Sequence, residues 1–491
     1  GEPIYGLDVI DTRPNNVYIN DSKGVMISED SGKTFTAVKA TGFPVKTDLS
    51  DPRNIPRHLA VSPANPDHMI LDSQDYIHYN NRRFFSKDGG KTWNESQYDK
   101  SKDFFFCQNR QHPFAWHPTD ENKVWSFGGD WIASSDNAGE TFAWDANGYC
   151  GTPPGGRIVF NPYNTDYIFA GAQDLLGIFS TDYGHSWKPI EPENGGGFGC
   201  AYGSLAFDEN LLVSAVADGW YTARTLKVSY DGGKTFTGTL PLRHGTERRA
   251  TSFWISPKDP NHAVAGEYAT FDRAETWDMM ENCEMVLAVN YYHNKEMYGL
   301  VHNGYDEIIV VSYDDGKKWY PFAKSYVDDP RALDLTDSPF TSAKGPQMWD
   351  LKYDGINDIM YYMPGNLNCG VTIVKVKDNV QTNIGSHVEA ETMGEGKYMH
   401  MLAMDPRYPD IIYVGTYGCG NYQSMCAVQR SCDGGETFQV ISSMGDPKSI
   451  VKDGPSAGSG VETIVVNPKT GDLWLWSVAE GIWKFPPPYN N

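Results

Sequence analysis

Apolar residues in this chain come in short runs of strand length, and polar turn residues break the runs at recurring places. One break has the form Val61-Ser62-Pro63-Ala64-Asn65-Pro66-Asp67-His68-Met69-Ile70. Its relatives run from His117-Pro118 to Trp125, Asn161-Pro162 to Phe169, Ser256-Pro257 to Val264, Asp405-Pro406 to Val414 and Asn467-Pro468 to Leu475. Each reads as strand, Pro-containing turn, strand. A second break, preceded by the first, has the pattern Ser-x-Asp-x-Gly-x-Thr-aromatic. It occurs eight times: Ser28 to Phe35, Ser86 to Trp93, Ser135 to Phe142, Ser180 to Trp187, Ser229 to Phe236, Thr270 to Trp277, Ser312 to Trp319 and Ser431 to Phe438. Asn137 replaces the Asp in one copy, and Ala274 stands where another should have Gly.

The second phrase has a mechanical reading. An Asp carboxylate accepts backbone N–H bonds inside its own turn, and a Gly supplies the positive φ that the turn needs. The closing Trp or Phe opens the next strand and carries a large apolar surface into the layer between sheets. Each phrase is thus a hairpin turn that fastens itself, a structural device rather than a ligand site. Together the two phrases give four antiparallel strands, A to D, in one blade.

The predicted starts of strand A lie near Tyr5, Arg57, His112, Arg157, Gly203, Thr251, Met285, Trp349, His400 and Glu462. Ten units over 491 residues give about fifty residues each, a usual length for a propeller blade. The seventh and eighth units lack the Pro phrase, and the eighth, Trp349 to Asn379, also lacks the fastened turn. The tenth stops after about three strands, and the N-terminal segment can supply the fourth. No linker of Gly, Ser or Pro divides the chain. The expectation is an all-β fold, one β-propeller domain over residues 1–491 with ten four-stranded blades.

These repeats resemble the BNR, or Asp-box, family, which includes sialidases, xyloglucan-active glycoside hydrolases, photosystem assembly factors and sorting receptors of the sortilin type. The pairing of an Asn-Pro-like turn with an Asp box is more similar to the xyloglucanase and sortilin branches than to the sialidases. The resemblance implies a propeller fold, ten-bladed in the sortilin type. It transfers little about function, because the motif is structural.

Composition narrows the classes. A formal net charge of −22 and a pI of about 4.9 leave no basic stripe for nucleic acid. No apolar run is long enough for a membrane-spanning helix. The eight Cys lack CxxC spacing, which argues against a zinc site. Cys419 and Cys426 flank a predicted hairpin, where either a disulfide of an oxidising compartment or two free thiols would fit.

Candidate chemistry falls in two series. At or beside the strand A starts stand Arg57, His58, His112, Arg157, Ser204, Thr251, Trp349, Asp350, His400 and Glu462. Of these, His58, His112, Arg157, Asp350, His400 and Glu462 are the candidates for acid–base work at a channel mouth. At the ends of strand B stand Asp75, Asp130, Asp174, Asp218 and Glu267, attended by Tyr76, Tyr79, Trp131, Trp220, Tyr221 and Tyr268. Rings beside carboxylates suit sugar binding, and the same carboxylates could hold Ca²⁺; their serial recurrence equally suits capping of loop backbone. The long D–A connections, Thr36 to Pro56, Asn94 to Arg110, Pro321 to Pro346 and Gln439 to Ser459, are irregular, as binding loops usually are.

The sialidase signature fails here: Arg53-Asn54-Ile55-Pro56 is interrupted, and ten units do not make six blades. The expected function is an extracellular or cell-surface binding propeller that recognises a glycan or a peptide or protein ligand at the channel mouth. The alternative is a polysaccharide-active glycoside hydrolase or uronate lyase using the channel-mouth residues, with Asp350 and Glu462 as acids, or a His base beside Arg57 or Arg157.

Overall fold

The computed structural model describes residues 3–490 apart from 45–55, 74–81, 103–112, 129–130, 146–154, 173–175, 191, 193–199, 218–222, 243–251, 291, 293–295, 304–305, 323–346, 366–372, 389–396, 419–426, 444–460 and 478–480. Among them the chain is all-β, with ten sheets and only single turns of 3₁₀ helix, at Lys100–Lys102, Gly385–His387 and Pro488–Asn490. Each sheet is one predicted blade. Their first strands are Gly6–Asp8, Pro56–Val61, Phe114–Trp116, Val159–Phe160, Cys200–Ala206, Phe253–Ile255, Met285–Val289, Gln347–Asp354, Lys397–Asp405 and Val461–Val466, all close to the positions expected from the spacing. Eight sheets are four-stranded meanders in chain order. The third gains a fifth strand, Gln97–Asp99, parallel to its last strand Thr141–Trp144. The tenth has three strands. The N-terminal segment does not complete it: Gly6–Asp8 heads its own sheet and pairs with Val17–Asn20.

The sheets fall into two compact units, residues 1–151 with three sheets and residues 152–491 with seven. Within each unit the first strands of successive sheets pack side by side. The layer between the fifth and sixth sheets is typical: Leu205, Val213, Ala215 and Leu226 meet Ile255, Ala263, Ala265 and Tyr268, all buried. Period-two alternation puts such residues on one face of each strand, and their burial supplies the main driving force. In the second unit the first sheet also meets the last. The Tyr183 hydroxyl donates to Asp472 at 2.6 Å, and Trp474 meets Phe160 and Tyr183 edge-on at 5.6 and 5.3 Å.

The fastened turn has the predicted geometry. In the copy at Ser229 the serine hydroxyl donates to Asp231 at 2.8 Å and accepts the Gly233 N–H at 2.8 Å. The same carboxylate oxygen takes the Thr235 N–H at 2.9 Å, and the other oxygen takes the Thr235 hydroxyl at 2.6 Å. Two consecutive residues lie at positive φ, Gly232 at 76° and Gly233 at 89°. The copy with Ala274 keeps this shape: Arg273 and Ala274 take φ of 61° and 67°, and the Ala274 N–H still reaches Thr270 at 2.9 Å. The hydrogen-bonding side chains therefore hold the left-handed pair even without glycine, against its steric cost. The closing aromatic is buried at Trp93, Phe142, Phe236, Trp319 and Phe438, while Phe35 stays exposed.

The eighth sheet explains how a blade survives without the phrase. Its last two strands, Val374–Lys377 and Val380–Asn383, are joined by Asp378-Asn379, with φ of 50° and 63°. Two left-handed residues between paired strands make the tight hairpin that matches strand twist. The Pro phrases fasten themselves too. The Asn161 carboxamide accepts the N–H groups of Tyr163 and Asn164, and Asn467 does the same for Lys469 and Thr470. In the two units that lack Pro, Asp354 accepts the N–H groups of Ile356 and Asn357, and Asn290 accepts that of Tyr292.

Candidate functional site

Six of the ten first strands share a β-bulge. The register slips between Arg57 and Ala60, Ala201 and Ser204, Val286 and Ala288, Met348 and Asp350, Met399 and Met401, and Val461 and Thr463. His58, Trp349, His400 and Glu462 are residues left over at these slips. A bulge interrupts the alternation of faces and re-aims a side chain, and bulges gather beside binding sites. The polar series read from the sequence therefore marks a repeated backbone irregularity.

In the unit of residues 1–151, His58 takes a φ of 51°. Its Nδ1 lies 3.0 Å from Oδ1 of Asp72, whose side chain is fully buried. The hydrogen bond with Asp72 raises the imidazole pKa, partly offset by burial, while burial raises that of Asp72. His58 borders a cavity of about 440 Å³ whose wall includes Asp8, Asp11, Pro63 and Trp116. Asp8 accepts the Val61 N–H at 2.6 Å and the Val9 N–H at 2.9 Å, and burial raises its pKa.

In the unit of residues 152–491 a cavity of about 190 Å³ runs between the first strands of six of the seven sheets. Its wall is mostly apolar, with Phe160, Trp254, Val289, Met404 and Val465 among its members, and its charged residues are Arg157 and Lys352. Both grip Asp350, whose side chain is 0% exposed against 25% for Arg157 and 19% for Lys352. Arg157 Nη2 lies 2.8 Å from Oδ2, and Lys352 Nζ donates to Oδ1 at 2.6 Å. The backbone N–H groups of Leu351 and Leu402 complete the carboxylate's shell at 2.9 and 3.0 Å. Burial opposes ionisation of Asp350, but Arg157 and Lys352 outweigh it and hold the pKa below the ordinary value. Burial pulls Lys352 down to about 8, with Asp350 opposing and Arg157 assisting.

The structure thus brings together Arg157 and Asp350 from the expected set and adds Lys352. That residue was legible in principle: two positions from Asp350 on one strand, it shares a strand face with it. Asp350 is an anchored anion, its lone pairs occupied by two cations and two N–H groups, and it is not arranged to deliver a proton. His400, Glu462, Trp349 and Trp131 lie on strands. His112, Asp75, Tyr76, Asp130, Asp174, Asp218, Trp220 and Tyr221 lie outside the described residues, as do Cys419, Cys426 and most of the long D–A connections. Described Glu267 and Tyr268 are buried, and the Tyr268 hydroxyl donates to the Pro241 carbonyl, a structural role. Among the described residues no cluster of His, Cys, Asp and Glu has the form of a metal site, and no helix is long and apolar enough to cross a membrane.

Comparison with known proteins bears on the fold. The family model for the BNR/Asp-box repeat matches residues 84–95. No curated protein matches the chain. Among solved structures, the GH74 xyloglucanase from Xanthomonas campestris is similar over 99% of this chain and 74% of its own, at 14% identity and a TM-score of 0.53. A GH74 enzyme from Niastella koreensis matches over 100% of this chain and 84% of its own, at 14% identity with a TM-score of 0.25. A structure of YCF48 bound to D1 peptide matches over 76% of this chain and 91% of its own, at 13% identity with a TM-score of 0.34. With its fastened turns, its blade-type sheets and the fold it shares with the first of these structures, the chain is a β-propeller that carries the BNR/Asp-box repeat.

Proposed function

We propose that this chain is a binding propeller, extracellular or at the cell surface, that takes a glycan or a peptide or protein ligand. The ligand site is the cavity of residues 152–491 together with the bulged ends of its first strands. The observation that carries the reading is the state of Asp350. Its negative charge is spent on Arg157, Lys352 and two backbone N–H groups. The cavity wall therefore offers fixed positive charge and apolar surface, a recognition chemistry, in place of a proton donor facing a second acid.

A glycoside hydrolase or uronate lyase is the competing reading, favoured by the fold shared with a xyloglucanase. One experiment separates them. The purified chain is screened on glycan and peptide arrays, and in parallel on soluble polysaccharides with reducing-sugar and unsaturated-uronate assays. Saturable binding without turnover supports the binding propeller. Release of reducing ends or unsaturated uronate overturns it.

A further inference from the structure

Resting on the binding reading of the same cavity, we infer that residues 152–491 hold a pocket for a small monocarboxylate with an apolar body, its carboxylate on Arg157 and Lys352. Charge is the first argument. Arg157, Lys352 and Asp350 carry two positive charges and one negative, so the group as a whole keeps one uncompensated positive charge beside an apolar wall. An anion of single charge neutralises it.

Donor geometry is the second argument. Arg157 spends one nitrogen on Asp350, and a guanidinium carries five N–H donors, so donors remain for a ligand acceptor. Lys352 donates to Asp350 and to the Leu351 carbonyl at 3.1 Å, and an ammonium has three N–H groups. One donor remains. A guanidinium and an ammonium side by side suit a two-oxygen acceptor. Asp350 meanwhile holds both cations in place, so they need no reorganisation to receive one.

Size and polarity are the third. The cavity measures about 190 Å³, smaller than the pockets of about 300–1,000 Å³ that take drug-sized ligands. It exceeds the apolar cavity of about 150 Å³ known to hold benzene. Beyond the cations the wall is mostly apolar and includes Phe160, Trp254, Val289, Met404 and Val465. A ring or short alkyl chain fits there.

The test is titration calorimetry on the full chain with sodium phenylacetate and hexanoate as probes and phenylacetamide as the neutral control. Saturable binding of an acid, with the amide weaker by roughly ten-fold or more, is expected. Arg157→Gln should weaken phenylacetate by roughly ten- to hundred-fold. Because that change also disturbs Asp350, a second variant, Val465→Trp, fills the half-buried apolar wall from the strand Val461–Val466, which carries no member of the ion group; it should keep the wild-type circular dichroism and abolish binding. No binding of either acid to folded wild type overturns the inference, as does equal affinity for the amide or undiminished binding in Val465→Trp. Failure of these acids alongside glycan or peptide binding that Val465→Trp abolishes would sink the small-acid pocket and leave the binding propeller standing.

Discussion

Two kinds of aspartate in this molecule do opposite things. The Asp-box carboxylates lie at the surface, recur along the chain, and are satisfied by hydroxyls and N–H groups a few residues away. Asp350 occurs once, is fully buried, and is satisfied by two cations and by an N–H group fifty-two residues distant. The first kind builds a turn from local sequence. The second joins strand to strand and fixes charge on a cavity wall. Recurrence marks scaffold, and a buried carboxylate held by two cations on a cavity wall marks the site.

The comparison breaks most visibly at Asp350. Asp350→Ala should cost about 3–5 kcal/mol, because it leaves two cations buried without their counter-ion. Urea denaturation followed by tryptophan fluorescence measures this. Asp350→Ala with Lys352→Met should recover part of the loss. A cost no larger than that of an exposed substitution would show the cations to be well solvated.

The next effect belongs to the scaffold. Asn379→Val should cost about 1–2 kcal/mol, the penalty of a left-handed conformation without a tolerant side chain. The check is the same denaturation, and Asn379→Gly should be neutral or mildly stabilising. Equal stability of the Val variant would mean that the hairpin had re-formed with another turn.

Asp231→Ala should lower the melting temperature by a few degrees and leave ligand binding unchanged. The Thr235 hydroxyl, then the Thr235 N–H, bring the Asp231 pKa down to about 2 against the opposing effect of burial, with Ser229 assisting. Asp30 and Asp182 are likewise held at about 2. A carboxyl with a depressed folded pKa binds fewer protons than its unfolded form. Its stabilisation is complete above about pH 4 and is lost as pH falls toward 2. Acid denaturation of wild type should show this loss, and Asp231→Ala should show less of it.

A further effect concerns Lys352. With a folded pKa of about 8 against an ordinary 10.5, the unfolded chain binds the extra proton between those values. Stability should therefore gain a contribution as pH rises from 8 toward 10.5, and Lys352→Met should remove it. Melting curves across that range decide. An unchanged pH slope in the variant would place the ammonium in water.

Much of this was legible in the sequence because the repeats encode their own hydrogen bonds. A hydroxyl, a carboxylate and a glycine at fixed offsets give the turn wherever they occur, and ten blade starts follow from their spacing. The hairpin at Asp378-Asn379 was missed because a different two-residue turn serves the same end. The fourth strand sought for the last sheet was assigned to the N-terminal segment, but backbone pairing is set by neighbours in the chain, and Gly6–Asp8 pairs with Val17–Asn20. The site was legible by halves. Arg157 and Asp350 stood out by aligned position, yet their pairing depends on a distance of 193 residues that no local pattern records. Lys352 was passed over because a lysine in a strand usually faces water. The bulges were invisible: a one-residue slip is a property of pairing, not of either strand alone.

The central claim is that the cavity of residues 152–491 binds while the Asp boxes only build. Array binding measured side by side on wild type, Asp231→Ala and Val465→Trp tests it most directly. The account predicts the same ligands for wild type and Asp231→Ala, and none for a folded Val465→Trp. Ligands retained by Val465→Trp and lost by a folded Asp231→Ala would contradict it.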